Sequence, residues 1–414
     1  MQKKHSWPEG HWNWPIKVTH KHGLRCGDMI WVGGQVNLTS EGEVLNPYDL
    51  AAQTRQVMTN FSAVLKEFDS DLGDLVYLNA FYVNDGSVDE DDFLSMIADA
   101  LPPALSNDTK TAITPVPVAY LAYEGMQVEI EGYAMRSETR EFMERSYAPD
   151  TASGVRSDKF CTAVRCGKMI FVSAQSALDS DGNLQGKGDI VEQSRLLSLN
   201  IQAALQHFGA DFDDVVKTNR WYCGGDGIDA FEPAALQFAS NFTEPGPAAT
   251  GIPLPRHADP DELIRISVIA MLGENGERLP RKHVWPESLW DWHVHLPYQH
   301  GLKCDNMIFL GGQVSLNKRG EAVHPGNLTN QTRQAMDHIK TILNELGADY
   351  EDVCKIMTVY QGDCGADALN ENLPIRSSYF NDPGPATTGI PLPVLAYESM
   401  CIEIDVYAMA KTDE

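Results

Sequence analysis

The sequence predicts an α+β fold built three times over, as three tandem ββαβαββ units in one chain. Three observations carry that reading. The segment Gly384-Pro-Ala-Thr-Thr-Gly-Ile-Pro-Leu-Pro393, followed by Ile402-Glu-Ile-Asp-Val-Tyr-Ala-Met409, recurs as Gly246–Pro255 with Leu263–Met271, and its first copy is recognisable at Leu121–Met135. Gly246 and Gly384, Gln193 and Gln331, and Cys166 and Cys304 are each 138 residues apart, a period too long for a solenoid repeat and long enough to bury a core of its own. The length of 414 residues with 43% hydrophobic content agrees with the prior of roughly 100–200 residues per domain. The expected boundaries are 1–140, 141–278 and 279–414.

Each unit can be justified in order. The first opens with Trp7-Pro-Glu-Gly-His-Trp-Asn-Trp14, which returns as Trp285-Pro-Glu-Ser-Leu-Trp-Asp-Trp292, so domains one and three resemble each other more than either resembles domain two. Three tryptophans so close together are expensive to leave in water and should pack on a neighbour or rim a pocket. Next, Val18–Gln35, Gly154–Gln175 and Leu296–Gln313 read as hairpins with Gly-Asp, Gly-Lys or Asp-Asn turns. Their second strands end Gly33-Gly34-Gln35, Ser173-Ala174-Gln175 and Gly311-Gly312-Gln313, small residues that mark either a bulge or a close approach of backbone or ligand. The apolar positions 328, 335, 336, 339, 342, 343 and 346 form one face of a helix, and copies one and two keep its Gln-x-Arg as Gln53-x-Arg55 and Gln193-x-Arg195. A strand at Lys355–Tyr360, a second helix around Ala366–Tyr379 and the repeated terminal strands complete the unit. In the last strand Ile402, Ile404 and Val406 face one way while Glu403, Asp405 and Tyr407 face the other. Two helices cover one face of each sheet, so the other faces should turn inward around a pseudo-threefold axis.

Composition excludes several function classes. A formal charge of −26 and a pI near 4.7 would repel nucleic acid, whose phosphates are bound by clustered Lys and Arg. No run of about 18 apolar residues points to a membrane span, and the first residues lack the apolar core of a signal peptide, so a cytoplasmic location is expected. The eight cysteines contain no Cys-x-x-Cys pair, which argues against zinc and disulfide frameworks. Cys26, Cys166 and Cys304 share one repeat position and are expected in the core. His20, His22, His293, His295 and His300 lack a carboxylate at fixed spacing, so no metal is expected. No phosphate loop follows a strand, and no cofactor is expected.

Met-Ile-x-x-x-Gly-Gln, then Gln-x-Arg-Gln, Asp-Val-x-Lys, and Pro-Ala-x-x near a terminal Ile-Glu-Ile together resemble the RidA/YjgF family, over essentially the whole chain and three times. The resemblance implies a chorismate-mutase-like fold, a trimer fused end to end, clefts between the units, and hydrolysis of reactive enamines and imines without a cofactor. The family's deaminases carry an Arg directly after Pro-Ala to clamp a substrate carboxylate; here Thr387 and Ala249 stand there, and the first unit has no Arg at that place either. The family's cleft Glu falls on Glu129 and Glu403, with Arg265 in domain two. Its cleft Tyr falls on Tyr298, with His20 and Phe160 in the other copies, and a polar helix position falls on Asn370.

A carboxylate at 129 or 403 can hold a water or pass a proton to the nitrogen of a C=N bond. It can equally form an interface salt bridge, for instance with Arg265, which is also a candidate anion clamp. Backbone N–H groups near Gly311 and Gly312 are candidates for polarising a substrate oxygen. The expected site is therefore Glu403, Glu129 and Tyr298 as catalytic residues, with Asn370, Gly311, Gly312, Arg265, His20 and Thr387 binding substrate. The expected function is deaminase-type hydrolysis of a small enamine, imine or amide-like metabolite in an inter-domain cleft. The alternative is a non-catalytic small-molecule-binding or regulatory protein. The expected assembly is a monomeric pseudo-trimer with room for further self-association, and neither nucleic acid nor membrane as partner.

Overall fold

A computed structural model describes residues 2–101, 109–149, 157–223 and 228–410. Domain 1 comprises β1 (Lys3–Ser6), β2 (Gly23–Cys26), β3 (Met29–Gln35), α1 (Leu50–Lys66), β4 (Leu75–Val83), α2 (Glu90–Ala100), β5 (Thr111–Val118) and β6 (Val128–Met135). Domain 2 follows with β7 (Arg145–Tyr147), β8 (Phe160–Cys161), β9 (Ala163–Cys166), β10 (Met169–Gln175), α3 (Ile190–His207), β11 (Val215–Cys223), α4 (Ile228–Ala239), β12 (Ala248–Leu254) and β13 (Ile264–Met271). Domain 3 has β14 (Arg281–Val284), β15 (Gly301–Cys304), β16 (Met307–Leu310), β17 (Gln313–Val314), α5 (Leu328–Glu345), β18 (Val353–Gln361), α6 (Asp367–Ser377), β19 (Ala386–Leu392) and β20 (Ile402–Met409). The ββαβαββ order is present three times. Each copy also gains a short edge strand at its front (β1, β7, β14), which the sequence reading did not anticipate.

The first sheet runs β1-β2-β3-β6-β4-β5, and the other two repeat that order. Only the β4–β5, β11–β12 and β18–β19 pairs within a domain are parallel, because a helix crosses over between those strands. The first helix of each unit starts at a side-chain cap, Asp49, Asp189 or Asn327, that accepts from a first-turn N–H. The glutamine of Gln-x-Arg then ties that helix to the loop before the last strand. Gln53 Nε2 donates to Gly125 O and Gln331 Nε2 to Ser399 O, both at 2.8 Å, while their Oε1 atoms accept from Gln127 and Cys401 N–H.

The opposite sheet faces meet in one inter-domain core that draws Trp31, Tyr77 and Tyr133 from domain 1, Phe171 and Val216 from domain 2, and Phe309 and Tyr407 from domain 3. Burying each such ring is worth roughly 1.5–3 kcal/mol, which makes this shared core a main reason for the units to associate. Cys26, Cys166 and Cys304 lie in it, and all eight cysteines are free thiols. The contacts close a ring: β5 of domain 1 pairs in parallel with β8 of domain 2, Ala248 of domain 2 bridges Gln299 of domain 3, and Ala386 of domain 3 bridges Lys21 of domain 1. Among the described residues no helix is long and apolar enough to cross a membrane.

Candidate active site in the inter-domain clefts

Each junction of the ring brings the last strand of one domain against the strand after the second helix of the next. Between domains 1 and 3, Glu129 on β6 lines a small, partly open cavity of about 30 Å³, together with Trp12, Trp14, Tyr123, Arg376, Thr387 and Gly389. That volume holds about one water molecule. Gly389 N–H donates to the Glu129 carboxyl. Gly34 makes room for it, since a Cβ there would collide with Glu129 Oε1. Burial and the neighbouring negative Glu131 push the Glu129 pKa up to about 8, against the pull of Lys355, so the carboxyl is neutral near pH 7.

Behind Glu129 lies a buried ion pair. Lys355 Nζ is 2.6 Å from Glu131 Oε2 and donates to Thr388 Oγ1 at 2.7 Å. Across the cavity Arg376 on α6 is fully buried. Its Nε donates to Asn372 Oδ1 at 2.8 Å and its Nη1 to Thr387 Oγ1 at 3.3 Å, while Nη2 has no hydrogen-bond partner. Burial lowers the Arg376 pKa to about 10, which leaves the guanidinium charged at neutral pH. His20 Nε2, Tyr123 Oη and Tyr360 Oη are likewise buried without a partner. Burial and the nearby Arg376 hold His20 down to about 3, hence neutral. Buried polar atoms are nearly always satisfied, so four orphans around one cleft mark a place shaped for a polar guest.

The domain 2–domain 3 cleft repeats the plan with different parts. Glu403 is pushed up to about 8 by burial and by Asp405, accepts from Gly251 N–H, and sits where a Cβ on Gly312 would be. Lys217 Nζ pairs with Asp405 at 2.9 Å, and Thr250 Oγ1 hydrogen-bonds both. The guanidinium here is Arg220 on β11, stacked 4.9 Å from the Tyr298 ring and 3.5 Å from its hydroxyl.

The domain 1–domain 2 cleft is filled. Arg265 occupies the carboxylate position, with Nη2 2.7 Å from Glu262 and Nη1 2.8 Å from Glu90. Burial alone would raise the Glu262 pKa, but the guanidinium overrides it and holds the carboxyl down to about 2.

The structure therefore sorts the anticipated residues. Glu403, Tyr298, Gly311 and Gly312 belong to the domain 2–3 cleft; Glu129, His20 and Thr387 belong to the domain 1–3 cleft; Arg265 stands apart in the third. Three expectations are corrected. Gly311 and Gly312 offer no free N–H, because these donate to His300 O and Ala249 O at 2.9 and 3.1 Å, and their role is to let a backbone and a carboxylate come close. Arg265 is saturated by two carboxylates and cannot clamp a third. Asn370 is exposed on α6, and the inward-facing amide is Asn372, which orients Arg376. The tryptophan segments both pack and rim. Trp12 and Trp14 line the cavity, and His11 and Trp12 donate to Gln35 Oε1 at 2.8 and 3.1 Å. His22 is enclosed by Trp7, Trp12, Trp14 and His11. Sequence reasoning missed Arg376, Arg220 and the Lys–acid pairs. A lysine within the apolar strand Lys355–Tyr360 was the available signal for the pairs.

A family model described as Endoribonuclease L-PSP matches residues 16–136, 154–272 and 292–410, most of the chain and once per domain. The chain belongs to that family. Among relatives of the Endoribonuclease L-PSP domains, a RutC family protein of Pyrococcus abyssi is 33% identical over 113 residues, covering 27% of this chain and 85% of the relative. A 3-aminoacrylate deaminase RutC of Acinetobacter baylyi is 29% identical over 90 residues, 22% of this chain and 69% of the relative. A 2-iminobutanoate/2-iminopropanoate deaminase of Mus musculus is 28% identical over 115 residues, 27% of this chain and 81% of the relative. The resemblance to the RidA family read from the sequence is thus borne out, three times along the chain. A crystal structure of a chorismatase superposes with a TM-score of 0.50 at 13% identity, over 81% of this chain and 93% of that one, and shares the fold.

Proposed function

We propose that the two acidic clefts catalyse cofactor-independent hydrolysis of a small anionic enamine or imine with release of ammonia, and that the domain 1–3 cleft is the principal site. One observation carries this reading. A neutral buried carboxyl, Glu129, and a buried guanidinium with an unused N–H, Arg376, line the same small cavity. The family resemblance implies a carboxylate-clamping arginine at position 387, where this chain has threonine. Arg376 reaches that threonine from α6 and restores a cation to the neighbourhood.

In this scheme Arg376 holds the substrate carboxylate. The Glu129 O–H gives its proton to the enamine β-carbon or to the imine nitrogen, producing an iminium. Water then attacks the iminium carbon, and the carboxylate left by the first step takes the proton that water loses. Collapse of the carbinolamine expels ammonia and forms the carbonyl. The balance is C=N plus water to C=O plus ammonia, with no change of oxidation state. Glu403, Arg220 and Tyr298 are the corresponding set in the domain 2–3 cleft. Relatives named as imine and aminoacrylate deaminases support the reaction class. The protein acts as a single three-domain molecule in the cytoplasm, without nucleic-acid or membrane partners.

The test is ammonia release from enamines and imines generated in situ, each offered as the carboxylate and as its methyl ester. Acceleration confined to the carboxylates is expected. Saturable binding without acceleration would overturn the catalytic reading in favour of a ligand-binding protein.

A further inference from the structure

Away from the clefts, the inter-domain core is open at one end. Three cross-strand pairs, Met29 with Met135, Met169 with Met271 and Met307 with Met409, one from each domain, form the floor of a bowl of about 410 Å³. Met143 adds a wall, so seven of the chain's 14 methionines line this one depression. Its volume lies within the roughly 300–1,000 Å³ typical of small-molecule sites.

The floor is apolar and adaptable. Terminal methyls lie beneath the turn glycines: a Cβ on Gly167 would meet Met143 Cε at 3.3 Å and Met135 Cε at 3.9 Å, and one on Gly27 would meet Met409 Cε at 3.6 Å. A guest therefore meets methyl groups backed by polarisable sulfur, on side chains with three rotatable bonds that re-form around different shapes. The rim has the opposite character. Asp28, Glu138, Glu274 and Asp305 line it, and Lys168, the only cation among the described lining residues, is engaged by Asp305 at 2.6 Å. A concave apolar surface ringed by excess negative charge concentrates field lines for a cation and repels anions.

We propose that this bowl is a second binding site, distinct from the clefts, for a small organic cation carried on an apolar body, of the quaternary ammonium or phosphonium type. The apolar body rests on the methionines and the charge lies at the level of the rim. The apolar floor favours an organic guest over a metal ion, because a neutral thioether is a weak ligand for hard cations and the terminal methyls of Met135, Met143 and Met409 lie close beneath the turn glycines. The site stands independently of what the clefts catalyse.

The test uses the full chain with methionine methyls labelled for NMR, titrated with tetraphenylphosphonium and, as its charge-reversed isostere, tetraphenylborate. Tetraphenylphosphonium should shift the methyls of Met29, Met135, Met169, Met271, Met307 and Met409. Met126 in the cleft and Met336 in the domain 3 core should stay in place. The borate should bind at least about 10-fold more weakly. Glu138→Gln with Glu274→Gln, both exposed, should weaken the cation on the order of 3- to 10-fold at low salt, and added salt should weaken it in the parent. Equal affinity for the two ions, binding of neither, or shifts centred on Met126 would each overturn the proposal.

Discussion

The cleft between domains 1 and 2 and the cleft between domains 1 and 3 are built on equivalent strands, and they differ at the positions that handle charge. Where Glu129 stands in one, Arg265 stands in the other. Gly34 leaves space for the carboxylate, whereas Ala174 at the same position fills it. Gly389 offers its N–H to the carboxyl; its counterpart, Pro115, has none to offer, and its carbonyl instead accepts from Arg265 at 3.4 Å. Glu131 and Lys355 form a buried ion pair, and their counterparts Ser267 and Tyr77 are neutral hydrogen-bonding groups. The tryptophan segment that rims the domain 1–3 cleft has no sequence equivalent in domain 2. A single Glu→Arg change would have left Gly34, Gly389 and Lys355 in place around the wrong charge. The difference extends to the whole set, so the domain 1–2 cleft is a salt-bridged structural joint, while the other two clefts share a neutral buried carboxyl backed by a lysine–acid pair.

The largest expected effect comes from removing the acid in both open clefts. Glu129→Gln and Glu403→Gln together should lower kcat by about 10²–10⁴-fold, the range for loss of a general acid–base, whereas either alone should leave the turnover of the other cleft. Stability reads the same groups. Both carboxyls have folded pKa values raised to about 8 from an ordinary 4.5, so the native state holds protons that the unfolded chain releases. Their contribution is complete below about pH 4.5 and is lost as pH rises through about 8. Thermal melts should therefore fall between pH 5 and 8.5 in the parent and flatten in the double variant. Unchanged turnover with a flattened melt profile would leave the carboxyls as structural groups only.

The next comparison sets two buried arginines against each other. Arg265 is paired with Glu262 and Glu90, so Arg265→Met strands two carboxylates and should cost about 3–5 kcal/mol, seen as a large drop in Tm. Low pH should erase that difference, because the folded Glu262 pKa is depressed to about 2 and the pair's contribution is lost as pH falls from about 4.5 through 2. Arg376 makes two hydrogen bonds and no ion pair among the described residues, so Arg376→Met should hold or raise Tm while lowering kcat/KM for a carboxylate substrate by about 10–100-fold. If Arg376→Met destabilised the fold as much as Arg265→Met, the contrast between functional and structural cleft would fail.

These contrasts also show what the sequence could reveal. The three units and their helices were legible because repeat register and helical spacing are local patterns, and the carboxylates at 129 and 403 were legible through the family resemblance carried along that register. Arg376 and Arg220 were not, since they occupy no common repeat position. One comes from a helix and the other from a strand, at places where the sister copies carry Phe238 and Thr358, and only the folded arrangement brings both to a cleft. The expectation for Gly311 and Gly312 failed for a similar reason: whether a glycine offers its N–H or its missing side chain depends on which neighbour arrives. Asn370 missed by two residues, enough to turn a helical side chain from the cleft toward solvent.

The smallest predicted effect concerns entry. The Glu129 cavity admits about one water, so a substrate must displace something, and the tryptophan segment is one of the walls of the cavity that lack regular secondary structure, the Ala122–Met126 loop being another. It is latched where Gln35 Oε1 accepts from Trp12 Nε1, and Trp290 Nε1 makes the same bond to Gln313 at 3.2 Å in domain 3. Domain 2 supplies the comparison: Gln175 Oε1 is buried without a partner where no tryptophan segment exists to donate to it. Trp12→Phe keeps most of the ring and removes one of the segment's two bonds to Gln35, a hydrogen bond worth about 0.5–1.5 kcal/mol, leaving that of His11, so ligand association and dissociation should both quicken by a few fold at nearly constant kcat. Stopped-flow binding traces that match the parent in both phases would mean the segment is a fixed wall, and entry would then have to run past Tyr123 and Met126 on the other side of the cavity.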